Sequence, residues 1–145
     1  MNTRTIMAVL ALLVIGFTAR AQAATRMLMY TFQDGPALRC VGIVDTSPAR
    51  GFVISPTSSI PQKAFRITRQ QFEQTWRSLH SSGAEKFAGG KSANRTFDAV
   101  KNYVFSVTNM PNGAITNFVV PKNRASPEVV SLARQFEAFA GISRR

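Results

Sequence analysis

The chain has 145 residues, 45% of them hydrophobic, and its 18 Lys and Arg outweigh 7 Asp and Glu to give a formal net charge of +11. This composition suits one packed domain and excludes a disordered, low-complexity chain. One cysteine, Cys40, excludes a disulfide framework, and one cysteine with one histidine is too few for the usual zinc ligand set. We therefore expect no metal and no cofactor.

Residues 1–23 have the pattern of a secretory signal. Arg4 gives a positive start, an apolar run covers 6–17, and small residues lead up to Ala23. The run is shorter than the ~20 apolar residues of a spanning helix. We expect cleavage after Ala23, with Ala21 as the alternative site, and no transmembrane segment after processing.

The mature chain, residues 24–145, is predicted to be one small domain in the periplasm or outside the cell. Processing removes two of the 18 basic residues and no acidic ones, which leaves a formal +9. Outside the cytoplasm such a protein meets anionic lipid head groups, cell-wall polymers and acidic proteins, and no specific nucleic acid is expected. Because the basic residues are scattered, a role in solubility alone is an equally good interpretation of the charge.

Three strands are predicted first, over 26–33, 37–45 and 51–55. A strong turn signal, Asp34-Gly35-Pro36, separates the first two. Consecutive strands joined by short turns favour an antiparallel meander. The stretch 56–65 is rich in Pro and Ser, has no periodicity and is predicted to be a connector. Cys40 falls in the second strand, where a small buried side chain is expected and an intermolecular disulfide is the alternative.

The clearest element is a helix predicted over 69–81. Thr68 and Gln71 have the spacing of a capping box, and Ile67 with Phe72 has that of a hydrophobic staple. An apolar stripe at helical spacing follows, and Gly83 fits the end. The stripe consists of Phe72, Trp76 and Leu79.

A β-hairpin is predicted next, over 102–109 and 114–120. Pro111-Asn112-Gly113 supplies the turn, because Pro presets one dihedral angle while Asn and Gly tolerate left-handed geometry. If the loop has three residues, Phe105 lies opposite Val119.

A second helix begins after Ser126, a good N-cap, with Pro127 at the first helical position and Glu128 in the first turn. Gly141 ends it. Its apolar stripe is Val129, Leu132, Ala133, Phe136 and Ala140.

The predicted order is β-β-β-α-β-β-α. Each helix has one apolar stripe and the sheet needs one covered face, so the sequence predicts an α+β two-layer sandwich, a mainly antiparallel sheet with both helices on one face. The layout is similar to that of small exported inhibitors and immunity-type proteins, a resemblance of architecture without a shared motif.

Catalytic groups are scarce. The Gly-Lys-Ser at 90–92 lacks the earlier glycine of a phosphate-binding loop, because Glu85 stands there. A hydrolase would have to use His80, the only histidine, with Asp34, Asp45 or Asp98 to orient it. The glutamates on the helices, Glu73, Glu128 and Glu137, are interpreted as solvated.

The long connection over 83–100 is the predicted binding site. Connections of this length are often functional, and its aromatic residues could anchor a partner while its basic residues steer it. The residues concerned are Lys86, Phe87, Lys91, Arg95 and Phe97. The plain alternative is that both phenylalanines fold back onto the core.

We expect a small exported non-catalytic protein that docks on another envelope or secreted protein, with an inhibitor- or immunity-like role. One alternative is a cationic binder of polyanions at the membrane or cell-wall surface. A second is a hydrolase that uses His80.

Overall fold

The computed structural model describes residues 26–55, 62–89, 98–109 and 114–142, so the predicted signal over 1–23 lies outside the described residues. The described chain contains six strands and two α-helices. Their bounds in chain order are β1 Arg26–Asp34, β2 Ala37–Val44, β3 Arg50–Ile54, β4 Lys63–Arg66, α1 Arg69–Ser81, β5 Asn102–Asn109, β6 Ala114–Pro121 and α2 Pro127–Phe139. Short 3-10 helices follow α1 and β6, at Ala84–Phe87 and Lys122–Arg124.

The six strands form one antiparallel sheet in the order β4-β3-β2-β1-β5-β6. The main core lies between this sheet and the helices, and the buried apolar residues of both helices belong to it. Both helices therefore cover the same face, and the predicted α+β sandwich is confirmed.

Strand β4 is an addition to the predicted order. Its residues 63–65 fall in the stretch 56–65 that was predicted to be a connector, but β4 pairs with β3 at the edge of the sheet. Their side chains are exposed except for Phe65, so no apolar alternation announces the strand. Phe65 instead packs over Gly51, where an added Cβ would lie 2.0 Å from the ring.

The helix starts are capped as predicted. Gln71 N donates to the Thr68 hydroxyl at 3.0 Å, and Thr68 N donates to the Gln71 side chain at 2.8 Å, which completes the capping box. Ser126 accepts from Val129 N at 3.2 Å. Helix α1 has the predicted bounds, 69–81.

One helical glutamate was misread as solvated. Glu137 is buried and accepts a bond from the Tyr30 hydroxyl at 3.4 Å. It lies four residues after Ala133 and three before Ala140, so the helical period places it beside the apolar stripe rather than opposite it.

The hairpin of β5 and β6 was predicted in the right place with the wrong register. Phe105 pairs with Phe118 rather than Val119. Four residues separate the strands, not three, and each added loop residue shifts the pairing by one.

Candidate binding surface

Two of the five predicted loop residues are described. Lys86 is exposed, whereas Phe87 is half-buried and packs against the main core. The guanidinium of Arg124 lies 5.1 Å from the centre of the Phe87 ring. Part of the Phe87 ring therefore packs on the core, and part of it remains exposed. The other three lie outside the described residues: Lys91, Arg95 and Phe97.

His80 does not meet the carboxylates that were considered for it. Its Nδ1 bonds Glu85, five residues along the chain, and its ring lies 4.9 Å from that of Trp76. Both His80 and Glu85 are exposed. The hydroxyls of Ser81 and Ser82, which follow His80 in sequence, donate to main-chain carbonyls.

Cys40 is a buried strand residue, as predicted. Its sulfur lies 3.2 Å from the Thr31 hydroxyl, and burial raises the pKa of the thiol to about 11. At neutral pH the group is a thiol rather than the nucleophilic thiolate.

A cluster of charged groups surrounds Arg26 at the start of β1. Its guanidinium donates to Asp45 at 2.8 and 3.1 Å, and to both carboxylate oxygens of Glu73. It also lies over two rings of α1, 5.1 Å from the centre of Phe72 and 5.0 Å from that of Trp76. These contacts link the start of β1 to α1, and the carboxylates of Asp45 and Glu73 both accept hydrogen bonds from Arg26.

The contacts in the Arg26 cluster shift the pKa values of Arg26 and Glu73. Hydrogen bonding to Glu73 is the main cause that raises the pKa of Arg26, and the same bond holds the pKa of Glu73 below its ordinary value. Both groups are therefore charged at neutral pH.

The described ranges contain no group of three or more His, Cys, Asp or Glu side chains placed to hold a metal ion. None of the helices within those ranges is both long and apolar enough to span a bilayer.

The face of the sheet opposite the helices carries a second apolar cluster, which we call the second-face cluster. The strand register places alternate residues of β1, β2 and β3 on this face. The cluster consists of Met27, Met29, Cys40, Val44, Phe52 and Ile54. Neither described helix contributes to it, because their buried residues belong to the main core.

The second-face cluster is nonetheless inaccessible. Met29 is only 5% exposed and Cys40 and Ile54 only 1% each. On a sheet, neighbouring side chains shield the flanks of a residue but not its tip, because side chains stand roughly perpendicular to the sheet. Neither described helix lies on this face.

One signal in the sequence pointed to this face. The segments "MLMY" of β1 and "CVGIV" of β2 are continuous apolar runs rather than alternating ones. Such runs are typical of strands buried on both faces. These runs are the sequence feature that corresponds to the second-face cluster.

The second face is smooth at its centre. The Phe52 ring lies flat over Gly42 on the neighbouring strand, where an added Cβ would come within 2.3 Å of the ring. Glycine is needed here for close approach. A flat apolar patch results, and two exposed arginines, Arg50 and Arg66, lie opposite each other at its corner.

The comparisons with known proteins add no relative: no family model, curated protein or solved structure matches this chain.

Proposed function

We propose that the chain is a small exported non-catalytic binding protein that docks on another envelope or secreted protein through the second face of its sheet. The observation that carries the proposal is an apolar cluster on three adjacent strands that neither described helix covers. In this proposal the cluster belongs to the surface that the mature chain, residues 24–145, presents.

The size of the cluster supports a docking role. Its members span three residues of β1, five of β2 and three of β3, and buried Val104 of β5 adjoins them. At ~4.8 Å between strands and ~3.3 Å per residue, the patch covers roughly 200 Å². Contiguous exposed apolar patches of a few hundred Å² are often functional. A stable interface buries about 800 Å² on each partner, so the patch would form the apolar centre and the polar surroundings its rim.

The charge at the corner indicates the kind of partner. Arg50 and Arg66 pair directly across β3 and β4, and both are exposed. Like charges opposite each other are unfavourable in an isolated sheet. An acidic rim on the partner would offset that cost, and the mature chain's formal +9 would steer such a partner towards it.

The loop over 83–100 remains the alternative docking surface. Lys86 is exposed and available to it, but Phe87 is engaged with the core and with Arg124. This leaves the loop with less apolar anchoring than the second face offers, so we favour the second face.

Affinity capture with variants separates the two surfaces. Mature protein is immobilised and exposed to envelope extract from cells that produce it, and Met29→Glu is compared with Val100→Glu. Val100 is an exposed apolar residue outside the second-face cluster, which makes it a matched control for the same chemical change. We expect Met29→Glu to lower capture of the specific partner at least tenfold and Val100→Glu to leave it unchanged. Equal capture by both variants, with loss on deletion of 86–97, would place the docking surface on the loop.

A second candidate function is binding of a polyanion, which the exposed Arg50 and Arg66 pair favours. It predicts steep loss of binding as salt rises, since exposed charges are screened over ~10 Å at 0.1 M. Sedimentation with anionic liposomes or cell-wall fragments across a salt series tests it. Absence of binding at low salt would remove this candidate.

A further inference from the structure

Four basic residues gather at one end of the sheet, where β5 begins and β6 ends. Lys122 N donates to the Lys101 carbonyl at 2.9 Å, which extends the pairing of β5 with β6 by one step. Arg124 follows Lys122 within one 3-10 turn, and Lys86 lies on the 3-10 helix that borders β6. Lys122 is half-buried and the other three are exposed. We call these four residues the basic end.

Two cations of the basic end lie over aromatic rings. Lys122 Nζ is 5.4 Å from the centre of the Tyr103 ring, and the guanidinium of Arg124 is 5.1 Å from that of Phe87. Both rings also pack against the main core. The rings therefore hold two positive charges in place at the surface, although long basic side chains are otherwise free to move.

An exposed apolar side chain adjoins the basic end. Val100, directly before Lys101, is 60% exposed, and within the described ranges it is the large apolar residue that stands out in this way. The main-chain N of Val100 and that of Lys101 donate to Oδ1 of Asp98 at 3.0 and 3.2 Å. This turn holds an apolar side chain beside a group of basic ones.

The basic end is far from the arginine pair at the corner of the second face. The register across β3, β2, β1 and β5 places Arg50 level with Thr108. Thr108 follows Lys101 by seven residues, about 23 Å along the strand at ~3.3 Å each. Exposed charges are screened over ~10 Å at 0.1 M salt. The two groups of cations are therefore separate surfaces.

The basic end has the chemistry of a contact with an anionic bilayer. Basic side chains reach lipid phosphates with their charged ends, while their stems and an apolar neighbour lie nearer the hydrocarbon. A single-stranded nucleic acid would instead stack its bases on aromatic faces. Here the cations of Lys122 and Arg124 lie over the rings of Tyr103 and Phe87. An exposed valine favours a bilayer over a polyanion in solution, because only the bilayer offers it an apolar environment.

We propose that the basic end is a docking surface for the anionic lipid head groups of a membrane, with Val100 at the contact. The proposal does not depend on docking at the second face. It rests on the candidate polyanion function, for which it names the polyanion and gives a site other than Arg50 and Arg66.

Three carboxylates lie on the elements that form this surface. Glu85 bonds His80, and Asp98 accepts from main-chain amides. Glu128 is exposed in the first turn of α2, four residues after Arg124. Its charge opposes that of the lipid, so Glu128→Gln should strengthen binding.

A dye at the basic end reports contact with the bilayer directly. Asn123 is exposed in the middle of the basic 3-10 turn, and Asn123→Cys is labelled with an environment-sensitive dye at neutral pH, where buried Cys40 is unreactive. The control dye is placed at Gln70→Cys in the first turn of α1, which contacts Arg26 at the opposite end of the sheet. The whole chain is titrated with vesicles of phosphatidylglycerol and phosphatidylcholine in equal parts, and with phosphatidylcholine alone. We expect the dye at 123, and not the dye at 70, to enter an apolar environment on the anionic vesicles. An equal response of the two dyes, or an equal response to both kinds of vesicle, would overturn the proposal.

Paired charge variants locate the surface in vesicle sedimentation at 0.1 M salt. Each basic side chain at an anionic surface contributes about fivefold in affinity, so Lys122→Gln with Arg124→Gln should weaken binding about 25-fold. Arg50→Gln with Arg66→Gln removes the same charge from the opposite end and should change the affinity by less than about twofold.

Three further variants separate charge, fold and apolar contact. If loss of the ring contacts disturbs folding, Lys86→Gln with Lys101→Gln removes the same charge from two exposed residues and should also weaken binding about 25-fold. Val100→Gln should weaken binding about threefold. Glu128→Gln should strengthen it about fivefold, a gain that damage to the fold would not produce.

The remaining outcomes contradict the proposal in different ways. Equal losses in the two paired charge variants would leave net charge as the cause. A loss confined to Arg50→Gln with Arg66→Gln would keep the candidate polyanion function and overturn the basic end as its site. Absence of vesicle binding by the parent chain at low salt would remove both. Tighter binding of oligothymidylate than of vesicles, with Val100→Gln unchanged, would identify a nucleic-acid surface instead.

Discussion

Replacement of Arg26 by methionine tests the interpretation of the charged cluster at the start of β1. Methionine keeps an unbranched apolar stem and removes the guanidinium. The matched control is Arg39→Met, because Arg39 also pairs with an aspartate, Asp34, at 2.9 Å. The two pairs differ in burial. The side chains of Arg26 and Asp45 are 24% and 4% exposed, whereas those of Arg39 and Asp34 are 38% and 42% exposed.

The difference in burial sets the expected cost. Removing one partner of a buried pair costs about 3–5 kcal/mol, because the remaining charge is left buried. Arg26 is partly solvated and Arg69 stays within 3.9 Å of Asp45, so we expect the lower figure, about 3 kcal/mol. An exposed pair is worth about 0–1 kcal/mol, which is the expectation for Arg39→Met.

Urea unfolding, monitored by far-UV circular dichroism, measures the free energy of unfolding of each variant. Fluorescence is avoided because Arg26 lies over Trp76, the only tryptophan. At about 4 °C per kcal/mol for a domain of this size, Arg26→Met should lower the Tm by about 12 °C. Adding Asp45→Asn should recover part of the loss, since the buried carboxylate is then gone. Equal costs for Arg26→Met and Arg39→Met would refute the reasoning.

Three further predictions concern single groups. Arg26 lowers the pKa of Glu73, so ionised Glu73 stabilises the folded state fully above about pH 4.3, and this stabilisation is lost as pH falls through the lowered pKa. Glu73→Gln should therefore reduce the fall of Tm at acid pH. An unchanged fall of Tm would contradict this. Gly42→Ala should lower the free energy of unfolding in urea by about 1–3 kcal/mol, because the new Cβ meets the Phe52 ring. The same substitution should cost less in a Phe52→Leu background, and an equal cost there would contradict the clash. Ser126→Ala should cost about 1–2 kcal/mol by thermal denaturation, since the hydroxyl caps α2 and also donates to the Ser82 carbonyl at 2.9 Å; a loss below 0.5 kcal/mol would argue against the double role.

The parts of the fold that depend on local chemistry were predictable from sequence. Helix α1 begins after Thr68, because the capping box and the stripe led by Phe72 act over a few residues. Helix α2 follows Ser126 and Pro127 for the same reason. Local signals of this kind are present in the sequence whatever the rest of the chain does.

The parts that depend on distant neighbours were not predictable in the same way. Strand β4 is stabilised by pairing with β3 and carries Lys63 and Arg66 outward, so its sequence resembles a loop. The charged cluster joins Arg26 to Glu73 across 47 positions, and no spacing rule connects them. The buried position of Glu137 depends on Tyr30, 107 residues away.

For the candidate binding surfaces, too, local features were visible in the sequence and tertiary contacts were not. A long loop is visible in sequence, but that Phe87 lies under Arg124 is a tertiary fact. The continuous apolar runs of β1 and β2 were also visible, and they indicate burial on both faces. They do not say what covers the second face, because that depends on chain far from those strands or on another molecule.

The most direct test of the account is the accessibility of Cys40 in the mature chain, measured by thiol labelling at pH 8 before and after the partner is captured from envelope extract. The account predicts that Cys40 of folded 24–145 labels rapidly when the protein is alone and is protected in the complex. Equal labelling with and without the captured partner would place the partner elsewhere on the surface and contradict docking on the second face.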